Sequence, residues 1–258
     1  MSNSYNDPNF KEKLKQALAS TARVISDDYD KKSDFDQNKN QKKKEHFVVE
    51  NLNSKYDFIK ARADSDSSAL KKKFSDEKIY KKNLPSNSSC KSLYAITEKI
   101  RYESLGTEML LGIKKNIHEN YNQIINSKKK EPPKSKEDVE ILEAFELYML
   151  KKFHNIKLNS LAIDTLSFWE KDFNQAIDKH IDFLKKNLES QSKYSSLFSQ
   201  ILQEIELFQT EDNEETQDDK QDNDQNNSSN DDQQGDSENN KDQNKKEETG
   251  ASLDSDYN

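Results

Sequence analysis

The chain has 258 residues, 35% of them charged and only 31% hydrophobic, with a formal net charge of −8. That apolar content is low for a self-sufficient globule, and no apolar run approaches the 18 residues or so that a membrane span needs. Cys90 is the single cysteine, which excludes an internal disulfide and a cysteine metal cluster; with no apolar leader in MSNSYNDPNFKEK, the expectation is a soluble cytoplasmic protein.

The charge is unevenly spread. Residues 210–258 carry seventeen Asp or Glu against four Lys, a net of −13, with Leu253 and Tyr257 as their only large apolar groups. Burial in such a segment cannot offset its ordering entropy, so residues 209–258 are expected to be a disordered acidic linker or tail. Residues 1–209 are left with +5, a mildly basic body. Its thin apolar content favours helices stabilised partly by a partner.

In chain order, Phe10, Leu14, Leu18, Ala22 and Ile25 share one helical face. Asp7 is the expected N-cap and Pro8 the first helical residue of a helix over 8–26. DKKSDFDQNKNQKKKE then offers almost nothing to bury and reads as a loop. Its lysines have no arginine and only Phe35 among them, so they read as solvated surface and not as a nucleic-acid patch. Phe47-Val48-Val49 suits a short edge strand, Tyr56 to Arg62 stays open between strand and turn, and Asp64 or Ser65 is the expected cap of a helix ending near Phe74. Asp64-x-Asp66-x-Ser68 resembles a D-x-S-x-S cation site, but a carboxylate stands where the first hydroxyl is needed. Ile79, Tyr80 and Leu84 lead into the turn Pro85-Ser86-Asn87-Ser88-Ser89.

The stretch that organises the chain follows, from Ser92 to about Asn126. Leu93, Ile96, Ile100, Met109, Ile113, Ile117 and Ile124 recur at steps near three and four, predicting one long amphipathic helix, a rod of roughly 50 Å. Gly106 and Gly112 each cost about 1 kcal/mol against alanine in a helix interior, so each admits a close neighbour or marks a bend. Pro132-Pro133 ends the stretch. Three further apolar helices are expected at about 136–153, at Leu161 to Leu188 and around Leu197, Ile201, Leu202, Ile205 and Phe208. The fold class is therefore mainly α: an irregular helical body over residues 1–208 around one long central helix, with room for one or two short strands.

Catalytic patterns are missing. There is no G-x-x-x-x-G-K-[ST], G-x-G-x-x-G, G-x-S-x-G or H-E-x-x-H, and four glycines hardly suffice for a phosphate loop. His46, His118, His154 and His180 lie in unrelated segments. Asp178 and Asp182 share a face from which His180 points away, and Asp222-x-Asp224-x-Asn226 lacks the glycine and glutamate of a calcium loop. No catalytic, cofactor-binding or metal residue is therefore expected. The one polar cluster singled out is Glu98 and Arg101, one turn apart, with Glu103 nearby. It is a surface pair worth a few tenths of a kcal/mol unless it is buried.

Several segments resemble the amino-terminal region of the CobT-type subunit of aerobic, ATP-dependent cobaltochelatase. Arg62-Ala63-Asp64-Ser65-Asp66-Ser67-Ser68-Ala69-Leu70 is similar to that family's Arg-Ala-x-Ala-Asp-x-x-Ala-Leu, and Ile79-Tyr80 to Pro85-Ser86-Asn87 is similar to its proline turn. Ile96-Thr97-Glu98-Lys99-Ile100-Arg101-Tyr102-Glu103-Ser104-Leu105-Gly106 resembles its hydrophobic-Glu-x-x-Arg-hydrophobic-Glu-x-x-Gly helix, which continues as Leu110-x-Gly112-Ile113-x-x-Asn116. Residues 10–26 resemble its first helix. The resemblance covers residues 8 to about 208 in order, followed by an acidic linker. Family members continue into a von Willebrand A-like domain with a divalent-metal adhesion site; this chain stops inside the linker, so a truncated form, a split gene product or a fragment is expected and no metal residue is carried over.

The resemblance implies a role. Such subunits are co-chaperone-like partners of an AAA+ ATPase and a large catalytic subunit, in a complex that uses Mg-ATP to insert Co2+ into hydrogenobyrinic acid a,c-diamide on the way to cobalamin. This chain would be at most a non-catalytic subunit of that nitrogen–metal ligase, binding no cofactor, nucleic acid or membrane, and oligomeric. Glu98, Arg101, Glu103 and Gly106 would hold its helical body together. The alternative is a helical interaction protein, not an enzyme, whose acidic tail binds basic partners.

Overall fold

The computed structural model describes residues 8–28, 52–128 and 131–218, with side chains of the last helix described as far as Ile205. The helices are α1 (Pro8–Ile25), α2 (Lys55–Phe74), α3 (Glu77–Lys82), α4 (Ser88–Met109), α5 (Leu111–Ser127), α6 (Ile141–Met149), α7 (Ser160–Ser167), α8 (Glu170–Ile177), α9 (Ile181–Lys186) and α10 (Gln191–Asp218). Short 3-10 turns occur at Lys136–Asp138 and Asp178–His180. No strand occurs among the described residues, and the mainly α class read from the sequence is what the structure has. Phe47-Val48-Val49, the Asp7 cap and the whole of the lysine-rich loop lie outside the described residues.

The expected single central rod is instead a helical hairpin. Leu110 is extended (φ −140, ψ 126) and separates α4 from α5, and α5 folds back so that the Tyr121 hydroxyl donates to Glu103 of α4 at 2.8 Å. A straight rod would leave the stripe of α5 in water. The hairpin buries Ile113, Ile117 and Ile124 to 3% exposure or less, each such side chain contributing roughly 1.5–3 kcal/mol on transfer from water.

Residues 55–74 form one helix, which resolves the open reading of Tyr56 to Arg62 and corrects the expected cap. Ser54 is the N-cap: its hydroxyl accepts the Asp57 amide, and Asp57 accepts the Ser54 amide in return. That capping box starts the helix about ten residues before Asp64 and Ser65, which lie in its interior. Ile59, Ala63, Asp66 and Leu70 make its buried stripe, which packs into the α4–α5 hairpin, while α1 covers its other side. The Ile79-Tyr80 segment is also a helix, α3, capped by Asp76.

The carboxy-terminal half is more broken than its apolar periodicity predicted. Residues 136–153 divide into a 3-10 turn, α6 and one π-helical turn, Leu150–His154, closed by Asn155 in the left-handed region at φ 54. The span from Leu161 to Leu188 divides into α7, α8, a 3-10 turn and α9. The expected fourth helix starts at Gln191, and its backbone stays helical to Asp218. α10 runs antiparallel along α4: Tyr194 meets Thr97, and Leu202 meets Cys90. One core cluster joins α2, α4, α5, α6, α8 and α10, and a satellite of Leu18 and Leu52 sits under α1 with Phe10 and Phe58.

Candidate functional site

Arg101 is fully buried on the face of α4 that meets α10. Its Nε lies 3.3 Å from both oxygens of Glu98, and Nη2 lies 3.2 Å from Oε2. Nη1 donates to the Leu188 carbonyl at 3.0 Å, and Nη2 to the Phe74 carbonyl at 2.7 Å. Glu98 is itself only 3% exposed, and it also accepts from Ser195 Oγ at 2.6 Å and Gln191 Nε2 at 3.2 Å. Gln191 reaches on to the Asp76 backbone, accepting its amide at 2.7 Å. The i,i+3 pair on one helix thus fastens the end of α2, the cap of α3, the loop after α9 and the start of α10. Each guanidinium nitrogen donates to a protein acceptor, as a buried charge must if burial is not to be prohibitive.

Glu103 belongs to a different cluster. It accepts from Ser67 Oγ of α2 at 2.5 Å and from Tyr121 of α5, and burial pushes its carboxyl above the usual range despite the nearby Lys99 ammonium. Lys99 stands 5.3 Å above the Tyr121 ring and 3.7 Å from Glu146, a carboxylate 1% exposed. His154, at the end of the π turn, packs its ring 5.9 Å from that of His118. Burial, then the neighbouring His118, lowers its pKa to about 3, so the imidazole is neutral. Gly106 lies where Leu70 of α2 crosses α4.

Of the four residues singled out by sequence, Glu98 and Arg101 come together, while Glu103 and Gly106 face α2 and α5 instead. Gln191, Ser195, Ser67, Tyr121 and the Phe74 and Leu188 carbonyls carry no signal in the sequence, since nothing in it announces a partner 18 to 97 positions away. Glu146 did carry a signal, an acid inside the apolar run Phe145 to Leu150. Asp178 accepts from Lys152 and Tyr148. Among the described residues, no group of three or more His, Cys, Asp or Glu converges as a metal-binding set. A cleft of about 370 Å3 beside Pro132 and Pro133 is lined by the acids Glu131, Asp138, Glu140 and Glu143 together with Lys128 and Lys134.

The arrangement joins helices, and its chemistry is that of a scaffold. A family model described as cobalamin biosynthesis protein CobT matches residues 8–257. The chain belongs to that family. It is accordingly a cobalamin biosynthesis protein, of the kind that forms part of a cobaltochelatase complex. The match begins at the first residue of α1 and runs over the helical body into the acidic segment. Neither a curated protein nor a solved structure matches the chain. No helix of this CobT-family protein, among the described residues, is long and apolar enough to cross a membrane.

Proposed function

We propose that the chain is the non-catalytic, co-chaperone-like subunit of the cobaltochelatase that inserts Co2+ into hydrogenobyrinic acid a,c-diamide. It works in the cytoplasm beside an AAA+ ATPase subunit and a large catalytic subunit. The observation that carries this reading is the CobT-family match over nearly the whole chain. Cobalt is the substrate of the complex, ATP is hydrolysed by the partner, and this chain contributes docking surface. Glu98 and Arg101 fix α10 and the ends of α2 and α3 to α4, while Glu103 and Gly106 fix α2 and α5 to it. Motion of a partner is then passed through a stiff body and not absorbed by sliding helices.

The test is co-assembly of the full chain with the ATPase and large subunits, with ATP, at physiological salt and at a severalfold higher salt. Salt-resistant, nucleotide-dependent assembly is expected, because helix faces dock largely by apolar burial. Binding that vanishes as the Debye length shrinks to a few Å would instead identify a helical protein acting through its acidic tail.

A further inference from the structure

Leu110 is the whole connection between α4 and α5: Met109 closes one helix and Leu111 opens the next. Nothing local calls for a break there. Methionine and leucine are strong helix formers, no proline is near, and Leu110, at the N-cap of α5, offers no side-chain acceptor to the first turn. The break also leaves helical hydrogen bonds unmade. In an unbroken helix the amides of Leu111, Gly112 and Ile113 would pair with the carbonyls of Thr107, Glu108 and Met109; here all six are helix-end groups. Met109, Leu110 and Leu111 stand 38%, 48% and 84% exposed.

What holds the hairpin lies away from its corner. Ile113, Ile117 and Ile124 of α5 are buried, Tyr121 donates to Glu103 at 2.8 Å, and Asn116 donates to Asp66 at 2.7 Å. Ser195 and Gln191 donate to Glu98, and Arg101 to the Leu188 carbonyl. Each of these polar contacts joins a residue before Leu110 to one after it. None of them requires the two sides to belong to one chain.

We propose that Leu110 is a hinge through which two copies of the chain exchange halves. Leu110 turns helical, α4 and α5 join into one rod over residues 88–127, and the half from α5 to α10 of each copy packs on the α1–α4 half of the other. Every contact across the hinge is remade between chains, so the surface buried is that of the fold itself and far exceeds an exposed patch. The two rods lie antiparallel, and their Met109 to Leu111 corners meet at the two-fold axis and leave water. Gly112, where a Cβ meets nothing within 4 Å in the single chain, lies beside that axis and lets the rods approach closely. Closed and exchanged forms differ only at the corners, so concentration decides between them. The inference goes beyond the subunit reading and does not depend on it.

The test is the oligomeric state of the full 258-residue chain and of Leu110→Ser, each refolded at low and high concentration and sized by light scattering. Heavy-isotope-labelled and unlabelled chains are mixed before refolding, and the dimer fraction is treated with a lysine-reactive cross-linker. The natural chain is expected to give a dimer at high concentration, in which cross-links between residues before and after Leu110 join labelled to unlabelled peptides. A serine at this N-cap serves the α5 amides only while the helix is broken, and each dimer has two corners. Leu110→Ser is therefore expected to weaken dimerisation by about tenfold or more without lowering the monomer's thermal midpoint. A natural chain that stays monomeric after refolding at high concentration overturns the proposal. So does a dimer whose cross-links of this kind stay within one chain, which would be two closed hairpins in contact, and so does a dimer that Leu110→Ser leaves unchanged.

Discussion

Leu70 occupies the space a side chain on Gly106 would need: its Cδ1 lies 2.3 Å, and its Cγ 2.9 Å, from the ideal Cβ position. Leu70 has no exposure and cannot swing aside into solvent. Gly106→Ala is therefore expected to lower stability by about 1–3 kcal/mol through overpacking, despite alanine's better helix propensity. Urea denaturation checks this, and an unchanged midpoint concentration would show that α2 can slide away from α4.

Arg101→Ala is expected to cost more than about 2 kcal/mol, because it leaves the Glu98 carboxylate buried without its cation and strips the Phe74 and Leu188 carbonyls of their donor. Linear extrapolation of denaturant unfolding measures it. A loss under about 0.5 kcal/mol would mean that water replaces the guanidinium freely.

Acid should destabilise the body. The unfolded chain protonates His154 near pH 6.5, while the folded state resists until about pH 3. Below pH 6.5 the unfolded state thus holds more protons, and stability falls as pH drops, by up to about 1.4 kcal/mol per unit from this one group. His118, lowered by burial, adds in the same sense. Glu103 and Asp66, raised chiefly by burial, oppose it: each is destabilising when ionised, and protonation as pH falls through the carboxylate range removes that penalty. Thermal midpoints from pH 7.5 to 5 should decline in the natural protein and decline less in His154→Phe; parallel declines would exclude His154 as a cause.

Removing residues 219–258 should leave the thermal midpoint almost unchanged, since that stretch has little to bury. A drop of several degrees would show that the acidic segment folds back onto the basic body.

The sequence exposed the parts of this architecture that repeat locally. The apolar steps from Leu93 to Ile124 and the turn around Asn87 each act within one or two helical turns, and they mark a helix and its entry without knowledge of the rest, whereas Gly106 leaves a close neighbour and a bend equally open. Other features could not be seen that way. The capping box at Ser54 does not stand out in the sequence because the residues after it, Tyr56 to Arg62, lack strong apolar alternation. The bend at Leu110 has no proline, and what drives it is the burial of the α5 stripe against α4 and α2, a gain that exists only in three dimensions.

By itself, then, the sequence determined the helical class, the mildly basic body with its acidic extension and the segment order of the CobT family, because composition and short-range periodicity act through local entropy and local burial. Only the tertiary structure decided that Glu98 and Arg101 form a buried joint and not a surface pair, that Glu103 serves a separate cluster, and that Met109 to Leu111 are left in solvent. The worth of a charge or an exposed leucine depends on the dielectric and packing supplied by residues far along the chain.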